Sequence, residues 1–146
     1  MIQRISHLGI VVNDLEAAEA FWSQTYGLEK YAEYETAAEG IRACLLSVGG
    51  RAGEMSIELM EPLDKADMDN PVARRLARSG EGFYHLAVVV DDVDASGAAL
   101  EAAGLPVLRR PPIDARASGR WLVHPKASNG VLVEGVSSAD LIPGGG

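Results

Sequence analysis

Residues 7–18 read HLGIVVNDLEAA and residues 85–96 read HLAVVVDDVDAS. Both follow one pattern: a histidine, an apolar run rich in valine and isoleucine, an aspartate seven residues after the histidine, then an alanine-rich stretch. A second echo lies downstream of each. SIEL carries Glu58, 51 residues after His7, and LVEG carries Glu134, 49 residues after His85. A repeated fold does not by itself require repeated polar residues. Two modules that each deliver a His near the start and a Glu near the end have the donors to converge on one metal ion.

Working outward, the first module (1–63) predicts a strand over 5–12, with Asn13-Asp14 as turn and helix cap. A helix over LEAAEAFWSQTY follows, with Leu15, Ala18, Phe21 and Trp22 as its core face and Gly27 as its stop. Strands are then expected at 29–36, 41–48 and 54–60, which makes a βαβββ unit. A linker (64–80) holds one short helix opened by Asn70-Pro71. The second module (81–137) repeats the plan: a strand in FYHLAVVV, a cap at Asp92, a helix VDASGAALEAAG ending at Gly104, and strands near 106–110, 119–124 and 130–136. Each module is below the ~70–80 residues at which a single core becomes self-sufficient, so the expectation is one α+β domain over 1–146 built from two tandem modules. The glycine-ended tail (138–146) has no period and is expected to be mobile.

Composition narrows the function classes. A hydrophobic content of 47% fills a core, and a formal charge of -8 argues against nucleic acid as a partner. The single cysteine, Cys44, allows no intrachain disulfide and suggests a reducing compartment, with the cytoplasm as the default. The amino terminus lacks a signal-peptide apolar core, and no apolar run approaches the ~18 residues of a membrane span.

Strand alternation places His7 with Ile5, Gly9 and Val11, Glu58 with Ser56 and Met60, and Glu134 with Leu132. Each polar residue therefore interrupts an apolar stripe, where an ionised carboxylate is costly unless it is paired or metal-bound. A lone His or Glu in a strand is ordinarily a hydrogen-bonded core residue or an edge charge; matched pairs at near-equal offsets favour a metal site. Mixed imidazole and carboxylate donors suit Co²⁺, Ni²⁺, Zn²⁺, Mn²⁺ or Fe²⁺.

The paired segments HLGIVVNDLEAAEAFW and HLAVVVDDVDA resemble the vicinal oxygen chelate superfamily (glyoxalase, bleomycin resistance and dioxygenase proteins) over essentially the whole chain. ELMEPL, NPVARRLARSGEG and HPK…GVLVE are similar to its methylmalonyl-CoA epimerase branch. The resemblance implies a metal cupped in the sheet and held by His7, Glu58, His85 and Glu134. It also implies a homodimer and an acyl-CoA substrate whose enolate the metal stabilises while Glu134 shuttles the proton. Epimerisation needs a second proton carrier on the opposite face of the planar intermediate. In the family that residue is a glutamate in a context like EQGVxEAML. This chain reads AEGIRACLL there and aligns Ala43, which carries no proton. Tyr84 stands where a second His is usual, and the loop RPPIDARASGRW is longer and more proline-rich than expected. Glu39, Glu35, Tyr84 and Cys44 are the neighbouring residues that could replace it, with Cys44 expected to face away from Ala43.

Arg116, Arg120, His124 and Lys126 are candidate substrate contacts, with a structural role for His124 as the competing reading. Arg74, Arg75 and Arg78 read as a solvated helix face or as CoA-phosphate contacts. Three other functions compete. A glyoxalase I-like isomerase acting on a thiol hemithioacetal needs one base only, so Ala43 is no obstacle to it. An extradiol dioxygenase uses two His and one Glu, and Glu58 would add a surplus ligand. A metal-free drug-binding module would be expected to have lost the ligands.

Overall fold

The computed structural model describes residues 1–112 and 119–138. It is an α+β fold of eight strands and three α-helices: β1 (Ile2–Val11), α1 (Leu15–Tyr26), β2 (Glu29–Thr36), β3 (Ile41–Ser47), β4 (Ser56–Pro62), α2 (Pro71–Ser79), β5 (Gly82–Val90), α3 (Val93–Ala102), β6 (Val107–Arg110), β7 (Arg120–Val123) and β8 (Leu132–Ser137). The expected elements are present, with strand ends displaced by up to three residues. The expected mobile tail, apart from Ser138, lies outside the described residues.

The helix boundaries follow from local chemistry. Asp14 and Asp92, equivalent in the repeat, accept from the backbone N–H of Ala17 and Ala95 at 3.0 and 2.9 Å. Each ties down an N–H that has no partner within the helix. Asn70 does the same for Val72 and Ala73, with Pro71 in the first turn of α2. Gly27 closes α1 at φ 74°, a left-handed conformation that glycine adopts without a Cβ clash.

The chain divides into two units. The first comprises Leu8–Tyr84, with strand order β2-β3-β4-β1. Antiparallel pairing sets Ala43 opposite Tyr34 on one side and Met60 on the other, and Leu45 opposite Glu58. Alternation then sorts the two faces. Val11, Ile41, Ala43, Met60 and Val72 form one buried cluster, against which Tyr34, Leu76 and Tyr84 pack. Val12, Leu15, Cys44, Leu46 and Leu59 form the other, beneath α1. Trp22 packs on this second cluster, whereas Phe21 is 52% exposed and is not core as the sequence suggested. At 100° per residue Leu15, Ala18 and Trp22 make one stripe, and Phe21 falls about 60° beyond its edge.

The second unit comprises Met1–His7 and the chain from His85 onward, with strand order β1-β5-β8-β7-β6. β5 and β8 run parallel, with His85 opposite Leu132 and Ala87 opposite Glu134. β7 is antiparallel to β8 and sets Trp121 opposite Gly135 and Leu122 opposite Glu134. Val88, Val90, Val93, Trp121 and Val123 form its core, and the Trp121 indole N–H donates to Ser96 Oγ on α3 at 2.9 Å. Among the described residues no helix is long and apolar enough to cross a membrane.

Candidate metal centre

Register and alternation bring three polar residues of the second unit together. His85 and Leu132 share a face, as do Ala87 and Glu134, so His85 and Glu134 are diagonal neighbours on the β5–β8 pair. The small Ala87 opposite Glu134 leaves the carboxylate room to lean towards the imidazole. His7, at the end of the β1 segment in this unit, completes the group. The ligand atoms of His7, His85 and Glu134 all lie within 4.8 Å of one another. His85 is buried, and Glu134 keeps 12% of its side chain exposed.

The distances suit a divalent ion. His7 Nε2 and His85 Nε2 are 3.0 Å apart. Two donors at right angles, each about 2.1 Å from a common metal, stand about 3.0 Å from one another. Without an ion, one Nε2–H must donate to the other nitrogen; with one, both nitrogens present lone pairs and the proton of each ring sits on Nδ1. For His7 that proton has an acceptor in place, because Ser6 Oγ is 3.0 Å from its Nδ1.

The electrostatics point the same way. Burial lowers the His7 pKa, an effect that Glu134 opposes and Arg120 reinforces, so the ring is held neutral, as a ligand must be. Burial disfavours ionised Glu134, but His85 and His7 where protonated, together with the Arg120 and Arg110 guanidiniums, outweigh it and hold the carboxyl below its ordinary value. Arg120 donates to Glu134 Oε2 at 3.3 Å.

The other residues singled out from the sequence divide as follows. Glu58 belongs to the first unit, on the face of Ala43 and Met60; it is 4% exposed and accepts from the Tyr34 hydroxyl at 2.9 Å. Sequence reasoning missed Tyr34, although its place opposite Ala43 follows from strand register. Ala43 is fully buried in an apolar cluster, so it packs the core. Cys44 lies in the opposite cluster, and burial raises its thiol to about 12. His124 Nδ1 accepts from the Lys126 backbone N–H at 3.1 Å and starts the 3-10 turn Pro125–Ala127, which is a structural role. Arg120 faces Glu134, while Arg116 lies outside the described residues. Arg74 and Arg75 donate to the carbonyls of Met68 and Phe83, so these two side chains are not simply a solvated face. Trp121, wedged over Gly135 beside Glu134, was another omission from the sequence reading.

Residues 6–123 match the model of the glyoxalase/bleomycin resistance protein/dioxygenase superfamily. The ethylmalonyl-CoA/methylmalonyl-CoA epimerase of Cereibacter sphaeroides is 34% identical over 137 residues, covering 92% of this chain and 97% of its own. The crystal structure of methylmalonyl-CoA epimerase from Mycobacterium tuberculosis superposes with a TM-score of 0.79 at 33% identity, covering 93% of this chain and 88% of that one. A glutamate-to-leucine variant of the Streptomyces coelicolor methylmalonyl-CoA epimerase, in complex with 2-nitronate-propionyl-CoA, superposes with a TM-score of 0.84 at 33% identity, covering 97% and 99%. These relatives are isomerases of the epimerase class. On the repeat, the fold and these matches together, the chain belongs to the glyoxalase/bleomycin resistance protein/dioxygenase superfamily.

Proposed function

We propose that the protein is a divalent-metal-dependent epimerase acting on an acyl-CoA of the methylmalonyl-CoA type. The observation that carries this reading is the His7–His85–Glu134 donor group, with its 3.0 Å separation between imidazole nitrogens. These three residues would hold the ion, and the sequence repeat assigns Glu58 as a fourth ligand. A bound divalent ion supplies Lewis acidity to the thioester carbonyl of the substrate, which makes the neighbouring C2 proton easier to remove. The retained donors favour this reading over a metal-free binding module.

Glu134 is the proton carrier in this account. Its carboxyl is held ionised by the cations around it, so it is ready to accept a proton at neutral pH. Arg120 engages Oε2 and so orients the carboxylate. Ser6 Oγ can accept the Nδ1 proton of the tautomer in which His7 would serve as a ligand. Return of the proton to the other face needs a second carrier, and neither Ala43 nor the high-pKa thiol of Cys44 supplies one. Glu35, Glu39 and Tyr84 are the candidates for that role. A glyoxalase I-like isomerisation is the second reading, and the burial of Ala43 in apolar core favours it, since that chemistry uses one base.

Incubation of one pure epimer of methylmalonyl-CoA in D₂O, followed by chiral analysis and NMR at C2, separates the two. Epimerisation with deuterium uptake supports the proposal. Absence of both, with turnover of a glutathione hemithioacetal, replaces it with the second reading. A cytoplasmic homodimer is part of the same proposal; a monomeric mass in sedimentation equilibrium would remove the dimer.

A further inference from the structure

In the second unit α3 covers one face of the sheet, where Val88, Val90, Trp121 and Val123 are buried and Val107 and Val133 pack against them. The alternate residues of the same strands point to the other face, which carries His85 and Glu134. Register orders that face into rows. Ala87 on β5 is opposite Glu134 on β8, Glu134 is opposite Leu122 on β7, and Leu122 is opposite Leu108 on β6. One row across four strands therefore reads Ala87, Glu134, Leu122, Leu108.

Burial falls along that row. Ala87 is fully buried, Glu134 and Leu122 are half-buried, and Leu108 is 54% exposed. An isolated exposed leucine is ordinary on a protein surface. Here the exposed leucine continues a half-buried one, in a line leading away from a carboxylate of the His7–His85–Glu134 donor group. Leu132 and Val136 flank Glu134 along β8 on the same face, so its neighbours within the strand are aliphatic as well. The spacing of the row is a ruler. Strands in a sheet stand about 4.8 Å apart, so Leu122 is one such step from Glu134 and Leu108 is two, about 10 Å. A methyl or ethyl group on a carbon at the Glu134 carboxylate meets Leu122 alone. A chain of about four carbons or more is needed to reach Leu108.

We propose that Leu122 and Leu108 form an apolar strip that receives an aliphatic substituent of the ligand bound at the donor group, Leu122 meeting its first carbons and Leu108 the end of a longer chain. The two leucines thereby determine which substituents the site prefers. That the substituent is carried by C2 of an acyl-CoA rests on the function proposed above; the strip beside the donor group does not.

The test is isothermal titration of the full chain, loaded with Zn²⁺, with methyl-, ethyl-, propyl- and pentylmalonate, followed by methylmalonyl-CoA. In the wild type affinity should rise about fourfold for each methylene taken up by the strip. Leu122→Asn should flatten the series from its first member onward, and Leu122→Met, which stays apolar, should keep the rise. Leu108→Asn, at an exposed position that tolerates a polar side chain, should leave methyl- and ethylmalonate within twofold of wild type and remove the gain of the pentyl chain. A merely structural role for Leu122 would weaken every member by the same factor and leave the slope unchanged. The expected slopes with no binding of methylmalonyl-CoA would keep the strip and remove the acyl-CoA reading. A wild type that binds none of the series, a flat wild-type series, or slopes unchanged in both Asn variants would overturn the proposal.

Discussion

Gly135→Ala is expected to damage stability and the metal centre together. Gly135 faces Trp121 across the β7–β8 ladder, and a Cβ built there overlaps Cε2, Cζ2 and Nε1 of the indole. Trp121 is 2% exposed and its N–H is committed to Ser96 Oγ, so the ring has little freedom to retreat. Overpacking of this kind costs about 1–3 kcal/mol. Displacing the indole from Ser96 adds about 1 kcal/mol. For a chain of this size, at roughly 4 °C per kcal/mol, a loss of about 2–4 kcal/mol lowers Tm by about 8–16 °C. Because Glu134 is the adjacent residue, metal affinity should fall in the same variant. Differential scanning calorimetry and a metal titration measure the two effects, and a cycle with Trp121→Phe isolates the clash: the added methyl should cost at least about 1 kcal/mol less beside the smaller ring. An unchanged Tm in Gly135→Ala, or equal costs in both backgrounds, would refute the packing described for β7 and β8.

Three further outcomes are expected. Glu134→Gln should lower kcat for epimerisation by about 10²–10⁴, the usual worth of a positioned general base; equal turnover in variant and wild type would remove Glu134 from the reaction. His7 is held below its ordinary pKa of 6.5 by burial, so the unfolded chain takes up its proton first as pH falls. The metal-free protein should therefore lose stability as pH drops from 6.5 downward, with Glu134, held below 4.5, adding a further loss at more acid pH; urea midpoints that do not change from pH 7 to 5 would contradict this for His7. Cys44, buried and with its thiol raised to about 12, should resist Ellman's reagent at pH 8 in the native state and react in denaturant; fast native labelling would mean that the face under α1 is open.

Much of the architecture was legible because the signals that specify it are local. Asp14, Asp92 and Gly27 fix helix ends by chemistry that can be recognised in sequence, and the repeat pairs His7 with His85 and Glu58 with Glu134. Other features depend on which residue meets which across the sheet. Tyr34 against Ala43, Trp121 over Gly135 and Arg110 opposite Arg120 are facts of register, to which no local pattern points. Arg120 shows the difference in one residue. Its sequence context, among loop arginines, suggested a substrate contact, whereas its strand position turns it towards Glu134. Phe21 was misplaced for a simpler reason: a helix of this size can leave one large aromatic at the rim of its buried stripe.

The most direct test of the metal centre is titration of the metal-free protein with Co²⁺, followed by calorimetry and by the visible absorption of the bound ion. The account predicts one ion per chain in the wild type, with binding lost in His85→Ala and in Glu134→Ala and weakened in Glu58→Ala. Failure of the wild type to bind Co²⁺, or undiminished binding in the His85 and Glu134 variants, would contradict it.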